Sequence, residues 1–127
     1  MDVDEVSKNI IGAAIDVHRI LGPGLLESAY EACLCHELEL RNIRFVKQAA
    51  IPVKNKDVNL ECGYRADLLV EDKVVVELKS VEKLMPIHDA QLLSYLKLTN
   101  CTVGLLINFN VAILKQGIKR KVLNHVN

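Results

Sequence analysis

Asp67-Leu68-Leu69-Val70-Glu71-Asp72-Lys73-Val74-Val75-Val76-Glu77-Leu78-Lys79 reads as two β-strands rich in β-branched residues, joined by a short polar turn. On the second strand Val74, Val76 and Leu78 share one face, and Val75, Glu77 and Lys79 share the other. The second face is the unusual one, because Asp67, Glu77 and Lys79 stand where a core hairpin would carry apolar or neutral residues. Cross-strand partners share a face, so Asp67 lies opposite Glu77 only if Val70 pairs with Val74 across a three-residue turn, Glu71-Asp72-Lys73. The same register sets Arg65 opposite Lys79, a cationic rim beside the two carboxylates. A two-residue turn would place the carboxylates on opposite faces.

Two carboxylates on adjacent strands suit a hard divalent cation such as Mg²⁺, which takes one or two carboxylates together with waters and substrate phosphate. Lys79 projects from the same strand face as Glu77. It can orient or help deprotonate an attacking water, or offset charge building on a phosphorane. On periodicity alone the stretch is equally well a hairpin with one solvated face.

Working outward, Val3 to Leu21 carries Val6, Ile10, Ala13, Ala14, Val17, Ile20 and Leu21 on one helical stripe, with acidic residues in the first turn. Gly22-Pro23-Gly24 breaks it, and Leu25 to about Arg41 resumes helical spacing through Leu26, Tyr30, Cys33, Leu34 and Leu38. Phe45 to Lys54 is β-like, although Pro52 lacks a ladder donor and assigns it to an edge or a bulge. Asn55-Lys56-Asp57 is a turn, Val58 to Val70 a long second strand and Val74 to Lys79 a third. Ile87 to Thr99 returns to helical spacing and ends near Asn100, a left-handed cap. Cys101 to Asn108 is an apolar run suited to a strand buried on both faces. The basic tail, with Lys115, Lys119, Arg120 and Lys121, adds a short strand or helix. The order helix, helix, three strands, helix, strand gives an α/β sandwich around one mixed sheet, expected as a single domain over residues 1–127.

Composition sets limits on the partners. Half of the 127 residues are hydrophobic, enough to fill one core. Lys plus Arg and Asp plus Glu each number 16, so no global field draws the chain to nucleic acid, and phosphate binding must come from a local basic cleft. Cys33, Cys35, Cys62 and Cys101 show no Cys-x-x-Cys spacing and read as reduced thiols. The acidic N-terminus and the lack of a long apolar run predict no secretory signal, no membrane span and a cytoplasmic location. Exposed apolar edges on so small a domain predict a homodimer.

Other residues compete for a role. On a helical wheel Glu27 lies inside the apolar stripe, between Leu34 and Leu38 and near Tyr30, so a buried carboxylate in need of a partner is expected there. Glu37 shares the stripe and can pair with a basic residue. Ten residues, about 15 Å along a helix, keep the two from one metal. Glu27 follows the glycine-proline elbow, where backbone can approach a ligand closely. His88, Gln91 and Tyr95 share one face of the later helix, either as a polar surface or as groups that steady a water or phosphate. His18 is either a satisfied core histidine or a site neighbour. No Ser-His-Asp motif, phosphate-binding glycine loop or dinucleotide fingerprint occurs.

Gly24-Leu25-Leu26-Glu27-Ser28-Ala29-Tyr30, with Gly63-Tyr64-Arg65-Ala66-Asp67 and Glu77-Leu78-Lys79, resembles the motif set of the small GxxExxY proteins, a branch of the PD-(D/E)XK nuclease superfamily. The resemblance runs from about Glu5 to Val122 and takes in His18 to Glu27, Gln91 to Leu96 and Gly104 to Asn110. The proline of the superfamily name is Ala66 here. The resemblance implies a restriction-endonuclease-like core of helix, three strands, helix and strand (αβββαβ), a central mixed sheet flanked by helices. It further implies that Glu27, Asp67 and Glu77 gather one or two Mg²⁺ (or Mn²⁺) ions, with the Leu78 carbonyl as an extra ligand. Lys79 would be the catalytic lysine and Gln91 an auxiliary polar group, with His18, Tyr30, Arg65 and Tyr95 as site neighbours. The activity expected is hydrolysis of phosphodiester bonds in nucleic acid. A catalytically silent module binding nucleic acid or protein, and an enzyme acting on a small phosphorylated substrate, are the alternatives.

Overall fold

The N-terminal stripe folds as α1 (Val3–Leu21), the range its spacing predicts. Asp2 caps it, its carboxylate accepting from the Glu5 N–H at 2.9 Å, and Val6, Ile10, Ala13, Ala14 and Val17 are buried. Gly22 at φ +69° and Gly24 at φ +93° then turn the chain sharply into α2 (Glu27–Leu40). Both lie in left-handed backbone that a Cβ would strain. The third helix, α3 (Pro86–Thr99), ends on Asn100 at φ +61°, the left-handed cap expected there. The computed structural model describes residues 1–61 and 63–125, so Cys62 lies outside the described residues.

Among the described residues seven strands follow the first two helices: β1 (Phe45–Ala50), β2 (Val53–Asn55), β3 (Val58–Leu60), β4 (Arg65–Val70), β5 (Val74–Lys79), β6 (Val103–Asn108) and β7 (Ile118–Val122). Five form one sheet in the order β1-β4-β5-β6-β7, and β2 pairs with β3 separately. The β5–β6 pair is parallel and the other pairs of the main sheet are antiparallel, so the sheet is mixed. The long strand expected over Val58 to Val70 is therefore two strands, and the β-like run from Phe45 to Lys54 divides in the same way. Pro52 cannot donate to a ladder, Ile51 N–H instead bonds the Tyr64 carbonyl at 2.9 Å, and every residue of β3 is exposed. Val58 and Leu60 of β3 have no core beneath them and stay exposed, and β2 and β3 stand off the main sheet as a small hairpin.

All six residues of β6 are buried, because helices cover both of its faces. On one side α1 and α2 bring Ile10, Leu34 and Leu38 onto Leu68, Val70, Val74, Val76, Leu78, Leu105 and Ile107. On the other side α3 brings Leu92, Tyr95 and Leu96 onto Val75 and Leu106. The basic tail supplies a 3-10 turn (Leu114–Gly117) and the edge strand β7. No helix among the described residues is long and apolar enough to cross a membrane.

Candidate functional site

The turn between β4 and β5 has the expected length. Glu71 and Asp72 take left-handed backbone, Lys73 N–H bonds the Val70 carbonyl at 2.9 Å, and Val70 pairs with Val74. The ladder runs from that pair to Leu68↔Val76 and stops. Where the strands part, side chains take over from the backbone: Asp67 N–H donates to Glu77 Oε2 at 2.8 Å, and Leu78 N–H donates to Asp67 Oδ2 at 2.7 Å. Each carboxylate thus satisfies a backbone donor on the opposite strand, and the two acids are locked together.

Their faces differ from the expectation. Leu68 and Val70 pack against α1 and α2, whereas Ala66, of the same parity, packs with the α3-side core. Strict alternation is broken between Ala66 and Leu68, and Asp67 turns toward α2, lining a cleft with Glu27, Ser28, Glu31, Gln48 and Leu78. Glu77 keeps the Val75 face, where its charge is felt by Tyr95 of α3. Asp67 and Glu77 therefore meet at the edge between the two faces rather than side by side on one. Arg65 pairs with Ala50 of β1 and lines another cleft, with Glu61, Gly63 and Tyr64. Because the β4–β5 ladder ends before it, the expected Arg65–Lys79 rim does not form.

Glu27 is exposed rather than buried. As the first residue of α2 it lines an open cleft with Asp67 and Leu78, so the apolar stripe it continues on a helical wheel is not packed there. Its position is nonetheless well defined. Tyr30, fully buried and stacked on Phe109 with ring centroids 4.4 Å apart, donates its hydroxyl to the Gly22 carbonyl at 2.6 Å and accepts from Leu25 N–H at 3.1 Å. Ser80, just past β5, donates to the Leu25 carbonyl at 2.6 Å. The elbow is tied both to its own helix and to the strand that carries Glu77 and Lys79. Tyr30→Phe leaves two backbone groups of the elbow without their partner and should cost about 1–3 kcal/mol in urea unfolding. An unchanged midpoint would contradict this role.

Electrostatics concentrate on Glu77. Its side chain is 4% exposed, and burial, with the Asp67 charge beside it, pushes its carboxyl up to about 8. The Lys79 ammonium acts in the opposite direction on the same group. Tyr95 is raised as well, first by burial and then by Glu77 and Asp67, and its hydroxyl accepts from Gln91 Nε2 at 3.2 Å. Gln91 and Tyr95 therefore form one hydrogen-bonded pair facing the acids from α3. His88 is engaged elsewhere, its Nδ1 accepting from Met85 N–H at 3.0 Å as part of the α3 cap. His18 is a satisfied core histidine: it is buried, with Nε2 2.8 Å from the Val111 carbonyl and its ring tilted against Phe109. Glu37 pairs with Arg41 at 3.7 Å. The described cysteines are free, and burial, then Glu31, pushes the Cys35 thiol up to about 11, leaving it unreactive.

Glu31, Ser28, Gln48 and Asn108 belong to the site region but escape a reading of sequence pattern. Glu31 carries a signal, since it lies four residues from Glu27 on the same helix face. Asn108 carries another, an amide ending a run buried on both faces. Its Oδ1 accepts from Val81 and Asn110 N–H, and its Nδ2 donates to the Val81 carbonyl at 2.9 Å, which fixes the chain leaving β5. Gln48 carries none. A larger cleft lies at the opposite end of the strands, between Glu39, Arg44 and Glu71, but Arg44 and Glu71 already neutralise each other at 3.2 Å.

The donor set of the acidic cleft is all oxygen, the chemistry Mg²⁺ and Mn²⁺ select. Burial first, and then the Asp67 charge, disfavour the ionised form of Glu77, a penalty that a bound cation would relieve. Among the described residues no three His, Cys, Asp or Glu side chains are grouped as a metal cage, so the expected gathering of Glu27, Asp67 and Glu77 at one point is not seen. Mg²⁺, which takes one or two carboxylates together with waters and phosphate, fits Asp67 and its neighbours without such a cage.

Three helices flanking a five-stranded mixed sheet, with paired acids and a lysine where two of its strands part, define an α/β domain of the restriction-endonuclease-like class. The model of the PD-(D/E)XK nuclease superfamily matches residues 4–121, and the chain belongs to that superfamily. Neither a curated protein nor a solved structure gives a match to the chain.

Proposed function

We propose that the chain is a metal-dependent phosphodiester hydrolase acting on nucleic acid, a single nuclease-like domain of the GxxExxY branch that works in the cytoplasm. The observation that carries this reading is the reciprocal lock of Asp67 and Glu77 at the parting of β4 and β5, with Lys79 two residues on. When bound, Mg²⁺ or Mn²⁺ lowers the pKa of water and neutralises charge on the phosphate. Asp67, with Oδ2 fixed by the Leu78 N–H, offers an oriented oxygen donor on the cleft side, and Glu27 and the Leu78 carbonyl are further donors there. Glu77 completes the acidic pair from the α3 side. Lys79 supplies positive charge where the phosphate gathers negative charge, and helps orient the attacking water. From the α3 side, the Gln91 amide and the Tyr95 hydroxyl would steady a water beside Glu77. Membership of a nuclease superfamily supports nucleic acid as the substrate class. Exposed Ile20, Leu26, Ile87 and Ile113 support a homodimer.

A second reading, a binding module that has kept the scaffold without turnover, is compatible with the balance of 16 basic and 16 acidic residues. Calorimetry separates the two. The hydrolase should take up Mg²⁺ or Mn²⁺, and Asp67→Ala should weaken uptake by more than about tenfold. No uptake, or equal uptake by the variant, favours the silent module.

A further inference from the structure

Gln48 sits mid-strand in β1, yet its φ is +51°, a left-handed conformation unusual for a residue other than Gly, Asn or Asp. On one side of it Phe45 packs against the α1/α2 core, and Lys47 lines a cleft with Cys35, His36 and Glu39 of α2. On the other side Ile51 packs with the α3-side core. The strand thus changes faces at Gln48, as β4 does between Leu68 and Ala66. The two changes are matched: Lys47↔Leu68 and Ala49↔Ala66 are paired in unbroken register, and the position skipped between them is Gln48 opposite Asp67. The kink therefore reverses which way both side chains point without inserting a residue. From there Gln48 Nε2 donates to Glu31 Oε1 at 2.7 Å and to Asp67 Oδ1 at 3.3 Å. Asp67 Oδ2 is already held by Leu78 N–H, so both carboxylate oxygens are fixed.

The geometry points to Gln48 as a positioning residue: its kinked backbone and its amide present the Asp67 carboxylate to the α2 cleft, and so to the cation and phosphate bound there. This rests on the hydrolase reading above and adds to it a residue outside the acid and lysine motifs. Unkinked strands would turn Asp67 toward α3, away from Glu27 and Glu31. The Glu31 bond keeps the amide from swinging away with solvent.

Two variants separate positioning from mere stability. Gln48→Met keeps the length and the backbone preference of the side chain and removes the donor. Gln48→Gly removes the donor and relaxes the left-handed backbone. The full-length wild type and both variants are titrated with Mn²⁺ in a calorimeter, and their melting temperatures are measured without metal. The expected result is a loss of Mn²⁺ affinity of about tenfold in both variants, with Gln48→Gly melting no lower than wild type. Wild-type affinity in both variants, with affinity lost in Asp67→Ala, overturns the positioning role and leaves the hydrolase reading intact. An affinity loss confined to a variant whose melting temperature falls also overturns it. Absence of Mn²⁺ binding by the wild type overturns both.

Discussion

Lys79→Ala is expected to lower kcat for Mg²⁺-dependent phosphodiester cleavage by about 10²–10³-fold, the usual effect of removing one preorganised charge from a developing phosphorane. Little change in stability should accompany it. The side chain is half-buried at the last position of β5, and none of the ion pairs among the described residues includes it, so nothing is left unpaired when it is truncated. Its backbone is held independently, the carbonyl accepting from Phe109 N–H at 2.9 Å. KM should move less than kcat, because the charge is needed most where charge develops. Lys79→Arg keeps the cation in a different geometry, and steady-state kinetics would then show partial recovery if charge is what matters. A Lys79→Ala enzyme within about threefold of wild type would remove the lysine from the mechanism.

Glu77→Gln is expected to stabilise the metal-free protein while impairing its function. The Glu77 carboxyl sits near 8 in the folded chain against an ordinary value of 4.5. Between these two values the native state holds a proton that the unfolded chain has released. The stability this proton supports is fully present below 4.5 and is lost as pH rises through about 8. Glutamine cannot ionise, and its amide oxygen can still accept from the Asp67 N–H. Urea titrations of the metal-free wild type should show stability falling across that window, and Glu77→Gln should flatten the profile. At its upper end the variant should gain about 2–4 kcal/mol. A wild-type profile already flat there would mean that Glu77 is ionised in the fold. The trade of stability for a poised site is a common one.

Long unbroken patterns were the legible part of this chain. Val3 to Leu21 and Val74 to Lys79 fold over the ranges their periodicity marks, because a long apolar stripe or alternation admits one way of burying it, although Ile20 at the end of the first stripe is exposed. Two failures share a cause, the assumption that pattern continues beyond what lies beneath it. Glu27 continues the stripe of α2 but lines an open cleft rather than the core, so it is exposed. The run from Val58 to Val70 continues an alternation in composition, but β3 has no core to face and the ladder breaks after it. The face of Asp67 was illegible for a different reason. Alternation assigns it beside Glu77, and the kink that turns it away resides at Gln48, whose side chain gives no local sign of left-handed backbone as glycine or asparagine would. The three-residue turn is the condition for Asp67 to lie opposite Glu77, and Val70 does pair with Val74, although the two acids then take different faces.

Cleavage of a panel of single- and double-stranded DNA and RNA by the full-length protein, with Mg²⁺ or Mn²⁺ and again with chelator, beside Asp67→Ala, is the most direct test of whether the acids where β4 and β5 part form a hydrolytic centre. The expected result is cleavage of at least one substrate that requires the metal and falls by about 10³-fold or more in Asp67→Ala. Cleavage that survives both chelation and Asp67→Ala would contradict it.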